Sequence, residues 1–182
     1  MLFTPLKLPG AFLIEPEIKA DERGFFARVF CEREFEQHGL NTRFVQCNIS
    51  HNASKGTLRG MHYQRPPHGE IKIVRCVQGS AFDVIIDLRP NSKTRGLWEG
   101  IELSARNQRM LYVPDGFAQG FITLEDDTQL FYQMSEFYVP EAAAGVRWND
   151  PAFKISWPLQ PKVIVERDAC YPDFLIGSAE LA

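Results

Sequence analysis

From Leu58 onward the chain alternates short apolar-rich runs with turn residues. Ile71 to Val77 reads as a strand, Gln78-Gly79-Ser80 as a turn, and Ala81 to Leu88 as the returning strand. Pro90 to Gly96 reads as a loop, followed by a strand from Trp98 to Leu103. Three more strands are predicted over Met110 to Val113, Phe117 to Leu124 and Leu130 to Tyr138. Pro114-Asp115-Gly116 and Glu125-Asp126-Asp127 separate them. Upstream, Phe12 to Lys19 is an extended stretch, Asp21 to Gly24 a turn, and Phe25 to Phe30 a strand. Cys31 to His38 carries acids early and ends at Gly39, the pattern of one short helix. Phe44 to Ile49 is a strand, and Ser50 to Gly56 is expected to be a polar loop. Many short strands with few helices predict an all-β sandwich or barrel. The proline-punctuated tail from Pro140 is expected to wrap its outside.

Length and charge narrow the function. A chain of 182 residues suits one domain with a sizeable core. Fourteen phenylalanines within an aromatic content of 12% favour a β-rich fold with a deep pocket. A net charge of -3 argues against a nucleic-acid polymer as partner, while leaving room for one small anion. Cys31, Cys47, Cys76 and Cys170 are scattered without a CxxC and read as reduced thiols. The proline-broken start is a poor signal peptide, and no apolar run is long enough to span a bilayer. A cytoplasmic protein with no membrane partner is expected.

The candidate chemistry centres on Gly56 to Asp87. His62 lies in LRGMHYQ; as a strand, this places Leu58, Gly60, His62 and Gln64 on one face. Gly60 would then leave room for a ligand beside the imidazole. His62 is equally readable as a hydrogen-bonded core histidine, or as a metal ligand if other ligands converge on it. Lys72 shares a strand face with Val74 and Cys76, where an ammonium is costly unless paired or functional. An edge-strand lysine reaching for water is the plainer alternative. Tyr132 shares a parity with Met134, Glu136 and Tyr138, and a buried phenol can be structural or a general acid. Asp168 is a candidate carboxylate behind His62.

The ordered runs GTLRGMHYQ, KIVRCVQGSAFDVIIDLR, LYVPDGFAQGF, YQMSEFY and GVRWNDP resemble the dTDP-4-dehydrorhamnose 3,5-epimerase family, from about Asp21 to about Asp168. The resemblance implies a cupin-type jelly-roll and a homodimer exchanging N-terminal strands. It implies epimerisation of a nucleotide-diphospho-4-keto-6-deoxy sugar without metal or other cofactor. Residues 1–50 would form the N-terminal strands, helix and exchange segment, 51–140 the barrel core, and 141–182 the wrapping tail. His62 would be the base, paired with Asp168. Lys72 would steady the enolate oxygen, and Tyr132 would return a proton from the opposite face. Gln46, Asn48 and Arg59 match positions that hold sugar and diphosphate, and Tyr138 one that lines the ligand. Arg23 and Phe26 match positions that reach a neighbouring subunit's site. Three positions depart from the family pattern: Gln119 stands where a histidine is usual, Lys19 for an aromatic and Arg28 for a glutamate. Alternatives are a relative specific for another nucleotide sugar or one carbon, a silent sugar-nucleotide-binding cupin, or a metal-dependent cupin.

Overall fold

The structure is a computed structural model that describes residues 1–175. Strands dominate: β1 (Leu2–Pro5), β2 (Phe12–Glu15), β3 (Ile18–Asp21), β4 (Gly24–Ala27), β5 (Gln46–Asn52), β6 (Leu58–Gln64) and β7 (Lys72–Gln78). Then come β8 (Ser80–Asp87), β9 (Trp98–Ser104), β10 (Met110–Val113), β11 (Phe117–Thr123), β12 (Thr128–Met134) and β13 (Ala143–Gly145). The helices are α1 (Glu32–Gln37) and α2 (Glu166–Ala169). A six-stranded sheet runs β1-β2-β10-β7-β12-β5 and faces a five-stranded sheet, β13-β6-β11-β8-β9. This is the all-β sandwich of the cupin jelly-roll type.

Alternation along the strands fills the space between the sheets. Val74, Cys76, Leu111 and Leu130 from the larger sheet meet Ala81, Ile85, Phe117 and Phe121 from the smaller. Both outer faces are also covered, so β8 reads as a near-continuous apolar run rather than an alternating one. Val84, Ile86 and Ala118 point outward against Val146 and Phe153 of the tail. On the larger sheet, Ile14, Ile73, Met110 and Tyr112 pack under Phe35 of α1. Glu32 and Glu34 sit in the first turn of α1, where the helix dipole favours them. Gly39 ends it at φ +67.

Several boundaries differ from the sequence reading. β1 was not expected at all. The extended stretch from Phe12 divides into β2 and β3 at Pro16, which has no N–H to give a ladder. β5 continues through Ser50, His51 and Asn52, where a polar loop was expected. Its partner strand β12 places Tyr132 opposite Asn48 and Leu130 opposite Ser50, so polar composition marked a cavity wall. β12 ends at Met134, leaving Glu136 and Tyr138 off the strand. Ser135 closes the ladder by exchanging bonds with Ile71. β3 and β4 pair only with each other. Among the described residues no helix is long and apolar enough to cross a membrane. Residues 176–182 of the expected wrapping tail lie outside the described residues.

Candidate active site

The site begins with an irregularity in β6. Register pairs Arg59 with Phe121 and His62 with Gln119, so Gly60 and Met61 together oppose Gly120 alone. This one-residue bulge changes the parity of the strand. Arg59 and His62 therefore share the inner face, rather than Leu58, Gly60 and His62. Gly60 does not clear space for a ligand either. A Cβ built there would fall 2.5 Å from the Gly120 Cα, so the glycine lets two backbones touch.

The bulge also supplies a donor. The Gly60 N–H gives a hydrogen bond to Asp168 Oδ2 at 3.0 Å. The other oxygen, Oδ1, lies 2.8 Å from His62 Nε2. Asp168 arrives because the segment before α2 is laid along the start of β6, with Leu58 N–H bonded to Val163 O at 2.8 Å. Burial pushes the Asp168 carboxyl up, but the bonds from His62 and Gly60 and the nearby Arg167 hold it below the usual carboxylate range. A carboxylate accepts only, so His62 carries its hydrogen on Nε2. Nδ1 then keeps its lone pair and has no protein partner among the described residues.

A cavity of about 450 Å³ opens beside this pair. His62, Arg59 and Gln119 line it from the smaller sheet, and Lys72, Tyr132 and Asn48 from the larger. A second cavity of about 660 Å³ shares His62, Lys72, Asn48 and Arg167 with it and extends to Gln46 and Tyr138. Lys72 is buried and does not reach for water. Its ammonium lies 2.9 Å from Glu70 Oε1 and donates to His62 O at 3.3 Å. Tyr132 bonds the Ser50 hydroxyl at 3.3 Å. Burial pushes its phenol well up, and the Ser50 hydrogen bond and, more weakly, Arg59 oppose that rise. Tyr132 is thus a neutral phenol across the physiological range.

The remaining residues divide. Arg59 is braced by Asn52 Oδ1 at 2.7 Å. Gln46 donates to Asn48 Oδ1 at 3.4 Å and accepts the Tyr138 N–H at 3.2 Å. Gln119 is buried and donates to Asp83 Oδ2 at 2.8 Å. Arg23 and Phe26 are not brought to this chain's site; they sit on the β3–β4 hairpin, with Phe26 72% exposed. Of the departing residues, Arg28 pairs with Glu34 at 3.1 Å and Lys19 lies on the hairpin.

Sequence reasoning missed four participants. Arg167 lies 3.3 Å from Asp168 Oδ1 and 3.4 Å from His62 Nε2. Its position next to Asp168 was the available signal. Glu70 was overlooked as the counterion of Lys72. Asp83, an acid inside the apolar run AFDVIID, is fully buried with one oxygen unpartnered. Ser50 was assigned to a loop. Among the described residues no three His, Cys, Asp or Glu side chains are grouped to hold a metal ion.

Fold and site together define a cupin-type sandwich whose interior sets a His–Asp pair on one wall and a tyrosine and a lysine on the other. That is equipment for moving protons at a carbon. The model of the dTDP-4-dehydrorhamnose 3,5-epimerase family matches residues 5–175. The dTDP-4-dehydrorhamnose 3,5-epimerase of Methanothermobacter thermautotrophicus is 45% identical over 170 residues, covering 91% of this chain and 90% of the relative. The Bacillus anthracis enzyme of that name, solved with TDP and pyrophosphate bound, superposes with a TM-score of 0.92 at 38% identity. It covers 95% of this chain and 99% of that one. An epimerase from Legionella pneumophila, solved with dTDP-4-keto-L-rhamnose, gives a TM-score of 0.86 at 37% identity, with 92% and 89% covered. The chain belongs to the dTDP-4-dehydrorhamnose 3,5-epimerase family.

Proposed function

We propose that this protein epimerises a dTDP-4-keto-6-deoxy sugar at carbons 3 and 5. The observation that carries the reading is the placement of His62 and Tyr132 on facing sheets around one cavity. A hydrogen next to a ketone becomes removable when a base meets it and the resulting charge is met in turn. His62 Nδ1 takes that proton, and Asp168 stabilises the imidazolium that forms. The electron pair moves to the ketone oxygen, and the Lys72 ammonium answers its charge; one such donor is worth roughly 3 kcal/mol. Tyr132 delivers a proton to the opposite face of the same carbon, and the centre is inverted. Every step uses a side chain of this protein. Arg59, Asn48 and Gln46, with Arg167, form a polar border suited to the diphosphate. Gln119 and Tyr138 line the sugar.

We further propose a cytoplasmic homodimer in which the β3–β4 hairpin crosses to the other copy. The exposed Ile18, Phe25 and Phe26 support this, since they have no sheet of their own to cover. Arg23 and Phe26 of one copy would then border the site of the other.

Incubation with dTDP-4-keto-6-deoxyglucose in heavy water tests the reading by NMR. Deuterium is expected at carbons 3 and 5, with inverted product. His62→Ala should nearly abolish the exchange. No exchange in the unaltered protein rejects the reading, and exchange at one carbon narrows it.

A further inference from the structure

Tyr132 can act only once unless its proton is replaced; it is half-buried on β12, between β5 and β7, and lines the cavity. Among the described residues its one hydrogen-bond partner is the Ser50 hydroxyl, at 3.3 Å. Ser50 is half-buried on β5 and itself lines the cavity. Its backbone is fixed by the β5–β12 ladder and by the Asn52 side-chain amide, which donates to Ser50 O at 3.4 Å. Its hydroxyl makes no other bond among the described residues, so it is free to donate and accept in turn. Arg59, held by Asn52, lies close enough to favour a negative charge on the phenol oxygen.

We propose that Ser50 is the relay through which Tyr132 regains its proton. This rests on Tyr132 being the donor in the reaction above. As the enolate carbon takes the Tyr132 proton, the phenol O–H bond breaks and the charge passes to the phenol oxygen. The Ser50 O–H proton then moves to that oxygen, while Ser50 takes a proton from water entering the cavity. The proton that His62 removed leaves to solvent, so the cycle closes with no net change. Ser50 touches Tyr132 rather than the substrate carbon and is a positioning and relay residue.

Two readouts in heavy water, with dTDP-4-keto-6-deoxyglucose as probe, separate this role from a structural one. The first is hydrogen exchange on the His62 side, and the second is formation of inverted product. Ser50→Ala should slow inversion roughly tenfold or more while leaving the exchange in place. Ser50→Thr, which keeps the hydroxyl on a strand-compatible side chain, should restore inversion. Ser50→Ala combined with Tyr132→Phe should be no slower than Tyr132→Phe alone. Undiminished inversion in Ser50→Ala overturns the relay, as does an equal fall in both readouts or a multiplied loss in the double variant. If the unaltered protein shows neither readout, the epimerase reading fails, and the relay with it.

Discussion

Asp168 holds His62 at 2.8 Å from 106 residues along the chain, and uses its second oxygen to take the Gly60 N–H. One carboxylate thus fixes both the imidazole and the bulge that aims it. Asp168→Asn replaces an obligate acceptor by an amide that can also donate, and the favoured His62 tautomer is lost. kcat is expected to fall about a hundredfold or more, with KM nearly unchanged. Asp168→Ala leaves the buried Gly60 N–H unpaired as well and should destabilise the protein by about 1–3 kcal/mol. Steady-state kinetics and thermal melting, taken together, separate the two effects; an unchanged kcat in both variants would contradict the pairing.

In the proposed reaction the Lys72 ammonium answers a charge that exists only during turnover. Lys72→Ala should therefore lower kcat by roughly 10²–10³ and affect substrate affinity far less. It also strips Glu70 of its counterion in a buried setting, so a lower melting temperature is expected in parallel. Lys72→Ala combined with Glu70→Gln should recover part of the stability and none of the rate. Titration calorimetry with the bound nucleotide sugar checks the affinity; a defect confined to binding would contradict the role of Lys72.

Most of the sandwich was legible because its strands obey simple alternation between turn residues. The paired wall residues were legible for a related reason. His62 and Lys72 stand out as polar side chains amid apolar strand positions. The errors have common causes. Ser50 looks like a loop residue because it lines a cavity instead of a dry core, and Asn52 because its buried amide is spent on Thr128 O and Arg59. The β6 face was misassigned because a bulge is invisible to a strict period of two, although Gly60 was a hint of irregularity. Asp168 cannot be joined to His62 by any local pattern, since only the path of the tail brings them together. Arg23 and Phe26 show another limit: within this chain Arg23 pairs with Asp21 of its own hairpin and Phe26 stays exposed, both away from the cavity.

Gly60 is the most demanding backbone position in the site. It sits at φ +125, a region L side chains rarely adopt, and any Cβ would meet Gly120 at 2.5 Å. Gly60→Ala should cost about 1–3 kcal/mol from the backbone alone. Because the bulge sets the direction of both Arg59 and His62, activity should fall further than stability accounts for. Melting curves and kcat/KM measured well below the melting temperature test this. A variant that loses stability but keeps full kcat/KM would mean the bulge does not aim His62.

Asp83 presents the reverse of Asp168. It is 0% exposed, accepts one bond from Gln119 and has one oxygen without a donor. Burial pushes its carboxyl well above the ordinary value of 3.8, against weaker effects of Gln119 and Lys72. The folded state therefore keeps a proton that the unfolded chain releases near that ordinary value. Between the two, the unfolded chain binds fewer protons, so stability falls as pH rises. Asp83→Asn mimics the neutral acid, accepting from Gln119 through its carbonyl without any proton to hold. At pH 7 Asp83→Asn should melt higher than the unaltered protein, and the difference should vanish below about pH 4. A melting difference that persists unchanged into acid would mean that Asp83 is ionised in the folded protein and that Lys72 or Gln119 stabilises its charge.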